Sequence, residues 1–230
     1  MKSKFFAAGL TGILFLLLIF LLLNFDVAPI GPQGTSIGLS MLNQSVFDYF
    51  GVNDVWQDIT DGIGYMSILV AVVFALFGAL QLVQRKSIWK VDKSLLALGA
   101  LYLVTVGFYG LFEAAVVNYR PIVMPGDTEP EASFPSSHTM LTCVILGSTA
   151  MLLERYVGNR AARLTLQVLC TALILIMAGG RLAAGIHWFT DILGGLLLSA
   201  TLLLMYAGLL EKLEGSAAEQ VREKAAGKSL

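Results

Sequence analysis

The chain has 230 residues, of which 57 % are hydrophobic and 13 % charged, against about 25 % charged in ordinary globular domains. Together with a mean hydropathy of +0.77, this excludes a soluble globular domain, and a net charge of −1 gives nucleic acid nothing to bind. The two cysteines, Cys143 and Cys170, lie inside apolar runs and read as small buried hydrophobes, too few for a disulfide framework or a metal cluster.

Apolar runs of about 20 residues, the length that crosses a hydrocarbon core as a helix, recur near Phe5–Phe25, Ile63–Val83, Ser94–Val117, Ser137–Leu153, Leu164–Ala184 and Trp188–Leu210. They predict an all-α, polytopic membrane protein, a six-transmembrane-helix bundle. The first run, within residues 1–25, follows Lys2 and Lys4 as a signal peptide does. It is longer than the usual apolar core of about 7–15 residues and no small-residue cleavage site follows, so it reads as a retained anchor. In the outer loop, residues 26–61, Ile37, Met41, Leu42, Val46, Phe47 and Phe50 recur at helical spacing with Asn43, Gln44 and Asp48 between them. The pattern predicts an amphipathic helix, either lying in the membrane interface or capping the bundle. Residues 62–210 carry the remaining spans as the core, and residues 211–230, rich in Ala, Glu and Lys, read as a polar cytoplasmic tail.

Charge gives the spans a direction. Thirteen of the fifteen basic residues fall on one side: Lys2, Lys4, Arg85, Lys86, Lys90, Lys93, Arg155, Arg160, Arg163, Lys212, Arg222, Lys224 and Lys228. The loop after the first span carries Asp26, Asp48, Asp54, Asp58 and Asp61 and no basic residue. Cytoplasmic loops retain Lys and Arg, so both termini are expected in the cytoplasm. The two exceptions, Arg120 and Arg181, sit at outer ends of spans, where an arginine signals an anionic ligand or a buried acidic partner.

The chain's two histidines lie in the same outer loops. His138 ends Phe134-Pro135-Ser136-Ser137-His138, and His187 follows Arg181 by six residues and precedes Asp191 by four. A helix starting after Pro135 would turn the N–H groups of Ser136, Ser137 and His138 toward an anion, with the Ser136 hydroxyl as a further donor. Arg120 and Arg181 supply permanent positive charge in a planar fork suited to phosphate oxygens. On a helix, His187 and Asp191 share a face, so the carboxylate can accept the N–H of one ring nitrogen and leave the other unprotonated and nucleophilic toward phosphorus. His138 is then the general acid for the departing oxygen. The bland alternative for His187 to Asp191 is a helix cap with Trp188 and Phe189 as interface anchors.

Arg120-Pro121, Pro135-Ser136-Ser137-His138 and Arg181-x5-His187-x3-Asp191, in this order with six spans, resemble the type 2 phosphatidic acid phosphatase superfamily of integral-membrane lipid phosphatases over about residues 60–210. The resemblance implies a metal-independent, cofactor-free hydrolase with a phosphohistidine intermediate, and the charge count puts its active site on the extracytoplasmic side. Carried over by motif position, His187 is the nucleophile, Asp191 its orienting partner and His138 the acid, while Arg120, Ser136, Ser137 and Arg181 hold the phosphate. The substrate implied is a lipid phosphomonoester or lipid pyrophosphate in the bilayer. Two positions depart from the pattern: the lysine usual seven residues before the first arginine is Glu113, and the serine often preceding the third motif is Gly180. Glu113 is expected to buttress an arginine of the site from behind. The alternatives are a phosphotransferase sharing the first step with a lipid or sugar acceptor, and a membrane protein whose two histidines ligate haem or a metal.

Overall fold

The computed structural model describes the backbone of residues 2–226 and side chains up to residue 215. It contains seven α-helices among the described residues: α1 (Lys2–Asn24), α2 (Ser40–Phe50), α3 (Asp54–Arg85), α4 (Lys93–Ala114), α5 (Ser137–Tyr156), α6 (Arg160–Ala184) and α7 (Phe189–Ala226). Two isolated antiparallel bridges, Ala28 with Ile37 and Tyr119 with Ala132, pin the outer loops. Both cysteines are free and buried.

Five helices, α1, α3, α4, α6 and α7, are long and apolar enough to cross a membrane. The fourth predicted span is the exception. Its helix, α5, carries Thr139, Thr142, Ser148 and Thr149, all buried, and lies against α3, α4, α6 and α7. Protein encloses it, so its sequence meets neighbouring side chains rather than lipid, and Ser148 and Thr149 donate their hydroxyls back to the Ile145 carbonyl. By contrast, α3 and α6 expose Leu69, Val73, Leu76, Val168 and Leu175, as an apolar solvent allows. The main apolar core joins α1, α4, α5 and α7 through Phe15, Leu22, Leu98, Val144, Leu202 and Tyr206. Small residues let these helices approach: a Cβ on Gly208 would lie 2.9 Å from the Phe5 ring.

Ion pairs fix the two ends of the bundle. At one end Lys4 meets Glu211, Arg155 meets Glu214, and Arg85 meets Asp92, all at 2.7–2.9 Å. The Arg85 guanidinium, with hydrogen bonds from Gln81 and Tyr156, holds the Asp92 carboxyl below the usual carboxylate range. Arg120, Arg181 and both histidines gather at the opposite end. The predicted polar tail begins as a continuation of α7, and residues 227–230 lie outside the described residues.

The outer loop differs from its sequence expectation in two ways. Helix α3 starts at Asp54, capped by the Asn53 side chain accepting from Trp56 N–H at 3.2 Å, so Asp58 and Asp61 are helical. In α2 the buried residues are Ser40 and Asn43, while Met41, Leu42 and Phe50 are exposed. Ile37 precedes the helix in the bridge with Ala28 and is fully buried. The helix therefore docks by its polar positions and leaves part of its apolar face outward, because Asn43 has a specific partner below it.

Candidate active site

Loop closure brings the first two motifs together. Arg120 N–H donates to the Glu131 carbonyl (2.9 Å) and Ser133 N–H to the Asn118 carbonyl (2.9 Å), so the long loop between α4 and α5 doubles back on itself. The indole N–H of Trp188 then donates to the Tyr119 carbonyl at 2.7 Å, locking this loop to the start of α7. Trp188 is 1 % exposed and packs on Phe47. It is a buried strut, where the cap-and-anchor alternative places it at the membrane interface.

The third motif is built by two helix ends. Helix α6 stops at Gly185, whose φ of +66° gives the left-handed cap that most residues resist, and the chain turns directly into His187. Helix α7 opens with Asp191 in its first turn, its Oδ2 accepting the Trp188 N–H at 2.9 Å, the reach-back of a capping box. The same oxygen lies 3.6 Å from His187 Nδ1, and Asn118 Nδ2 approaches Asp191 Oδ1 at 3.4 Å. Capping and histidine orientation are thus one arrangement. Beneath it, Asn43 accepts the Thr190 N–H at 3.2 Å and donates to Thr190 Oγ1 at 3.0 Å, so α2 fixes the first turn of α7.

His187 is 3 % exposed. Its Nε2 lies 3.5 Å from Arg120 Nη1, a pure donor, so Nε2 presents its lone pair and Nδ1 carries the proton, 3.6 Å from Asp191 Oδ2 and beyond hydrogen-bond reach of it. Burial, then the charges of Arg120 and Arg181, push the His187 pKa well below the ordinary imidazole value. Both effects favour the uncharged ring.

Both arginines have carboxylate partners. Arg120 Nε donates to Glu131 Oε2 at 2.9 Å, so Glu131 has the role expected of Glu113. Among the described residues no ion pair joins Glu113 to Arg120; Glu113 is exposed and lines, with Arg120, Ser137 and His187, one small cavity. Arg181, 1 % exposed, donates from Nη2 to Asp61 Oδ1 at 2.7 Å, while its buried Nε and Nη1 have no hydrogen-bond partner. Unpaired buried donors of this kind are rare and costly.

Ser136 departs from its expected role. It is the N-cap of α5, its Oγ accepting from Thr139 N–H and Thr139 Oγ1 at 3.5 and 3.1 Å, and its own N–H donates to the Asp191 carbonyl at 3.0 Å. The N–H is committed to Asp191 and the Oγ lone pairs to the cap, which leaves the hydroxyl proton as the one donor Ser136 can offer. The N–H groups of Ser137 and His138, at the first two positions of α5, have no partner within the helix and remain as donors. Asp61, Asn43 and Glu131 were absent from the sequence-derived set; only Asp61 had a signal, as the acidic partner that a buried Arg181 implies.

With this geometry in place, comparison with known proteins becomes informative. Residues 114–213 match the model of the PAP2 superfamily. That stretch holds Arg120-Pro121, Pro135 to His138 and Arg181 to Asp191. Phosphatidylglycerophosphatase B of Bacillus subtilis (strain 168) is 26 % identical over 164 residues, 71 % of this chain and 77 % of the relative. The crystal structure of a transmembrane PAP2-type phosphatidylglycerolphosphate phosphatase from Bacillus subtilis superimposes with a TM-score of 0.61 at 18 % identity, covering 90 % of this chain and 97 % of that one. Its fold is that of the present bundle.

Proposed function

We propose that this chain is a PAP2-type, metal-independent membrane phosphatase that removes phosphate from a lipid phosphomonoester or pyrophosphate through a phosphohistidine. The observation carrying this reading is the pairing of a neutral, buried His187, Nε2 outward, with a buried Arg181 whose Nε and Nη1 lack partners. His187 Nε2 attacks phosphorus in line; the P–N bond forms as the bond to the lipid oxygen breaks, and His138 gives that oxygen a proton. Water, losing a proton to His138, then attacks phosphorus, and breaking the P–N bond returns neutral His187. Arg120, Arg181 and the N–H groups of Ser137 and His138 stabilise the equatorial oxygens, where charge is greatest in the transition state. Asp191 keeps the His187 tautomer fixed.

Membrane placement follows from charge. The end bearing Lys4, Arg85 and Arg155 faces the cytoplasm with both termini, and the active site faces the extracytoplasmic leaflet. Helix α5 is the sixth crossing, sheltered by its neighbours. Relatives named for phosphatidylglycerophosphate hydrolysis agree with a lipid head group at this depth. The test is phosphate release from a panel of lipid mono- and pyrophosphates by purified protein in EDTA. Release is expected in the native protein and absent in His187→Ala; turnover that persists in the variant, or that EDTA abolishes, refutes the reading.

A further inference from the structure

The Arg181 partner, Asp61, belongs to none of the three motifs, yet it touches two of them. It lies on α3, about two turns from the capped start, and one oxygen, Oδ1, sits 2.7 Å from Arg181 Nη2 and 3.4 Å from His138 Nε2. Two glycines make that approach possible. A Cβ on Gly180 would lie 2.6 Å from Thr60 Cγ2 and 3.0 Å from Trp56 Cε3, and one on Gly64 would lie 3.0 Å from His138 Cδ2. The residue at position 180, where the pattern often has serine, is thus what lets α3 press onto α6 and bring a carboxylate into the site.

The charges around His138 come from four directions: Asp61 on α3, Arg181 on α6, His187 before α7 and Arg120 before α5. Both arginines oppose a positive charge on His138, His187 is neutral, and only Asp61 favours the protonated ring that hands over a proton. Arg181 in turn needs a counter-ion, because an unpaired buried guanidinium is strongly unfavourable. Asp61 meets that need through one nitrogen and leaves two for a ligand. Its side chain is 30 % exposed, so the site side of the pair stays open.

We propose that Asp61 is a positioning residue that couples the phosphate clamp to the proton donor, holding Arg181 by one nitrogen and His138 by Nε2 through a single carboxylate oxygen. The proposal rests on the phosphatase reading above. A carboxylate in this place acts in two opposed senses: it supports proton transfer by His138 and repels the phosphate held by Arg181. Removing its charge while keeping its shape therefore moves rate and affinity in opposite directions.

The experiment compares native protein, Asp61→Asn and Asp61→Glu, each first shown to elute as a single species in detergent and to melt as the native protein does. For Asp61→Asn, kcat is expected to fall about tenfold, part of the general-acid contribution of about 10²–10⁴. Its inhibition constant for inorganic phosphate is expected to tighten about fivefold, as loss of a negative charge near the anion requires. Asp61→Glu, which keeps the charge, should stay within about twofold of native in phosphate affinity, as a neighbouring charge of the same sign implies. Unchanged rate and affinity in Asp61→Asn, or a rate loss with weaker phosphate binding, overturns the proposal. Calorimetric titration with inorganic phosphate reads the affinity arm independently of turnover. If the native protein releases no phosphate, the phosphatase reading fails by itself, and tighter binding by Asp61→Asn still decides whether Asp61 opposes the anion.

Discussion

Each histidine of this chain has an aspartate, but the two pairs are built in opposite ways. His187 and Asp191 are four residues apart, 3 % and 0 % exposed, and are set by a helix cap, Asn118 and the Trp188 strut. His138 and Asp61 come from different helices, are about a third exposed in their side chains, and meet because Gly64 and Gly180 leave room. On the proposed mechanism the difference follows the chemistry each pair serves. A nucleophile needs one tautomer and one direction, which burial and local hydrogen bonds fix. A proton donor that must also activate water needs access to solvent, so its partner comes from a neighbouring helix at the mouth of the site.

The largest way to break the contrast is Asp191→Asn. An amide cannot hold the Nδ1 proton as a carboxylate does, and kcat should fall on the order of a thousandfold or more, measured as initial phosphate release. Arg120→Gln should lose about a hundredfold through the missing donor and also change the pH profile. The depressed His187 pKa favours the unprotonated ring, so on the proposed mechanism kcat/KM should not fall near pH 6.5 on its account. Without Arg120 that pKa rises, and since protonated His187 cannot attack, the acid limb should move to higher pH. A limb that stays in place contradicts the assignment. Gly180→Ala gives the smallest rate effect and sharpens the second pair. The added methyl pushes α3 off α6, lowering stability by about 1–3 kcal/mol in thermal denaturation and kcat several-fold, with Asp61 drawn away from Arg181.

What could be read from the sequence follows the same division. His187, Asp191 and Arg181 share one stretch of chain, so spacing alone placed them on facing helix ends, and the charge asymmetry singled out Arg120 and Arg181. Asp61 and Asn43 are 120 and 147 residues from their partners Arg181 and Thr190, and no local pattern encodes such a meeting. Asp61 looked like one of five loop acids because the cap at Asn53 that makes it helical is a single side chain. The apolar runs gave the helices, but α5 shows their limit: a run interrupted by Ser and Thr belongs to a helix that protein covers. Ser136 also caps α5 through its Oγ lone pairs, a part that a Ser-Ser pair before a histidine does not by itself announce. Glu113, the acid in place of the usual lysine, shares a cavity with Arg120 and His187, and nothing in the structure explains its charge there.

His187 is proposed to carry the phosphoryl group. Native protein mixed with a lipid phosphate it turns over, quenched in alkali where phosphohistidine survives, and digested for mass spectrometry, should show one phosphate on the peptide containing His187. The label should be lost on acid treatment and absent from His187→Ala. Phosphate release with no label on that peptide, or with label on another residue, would contradict the account.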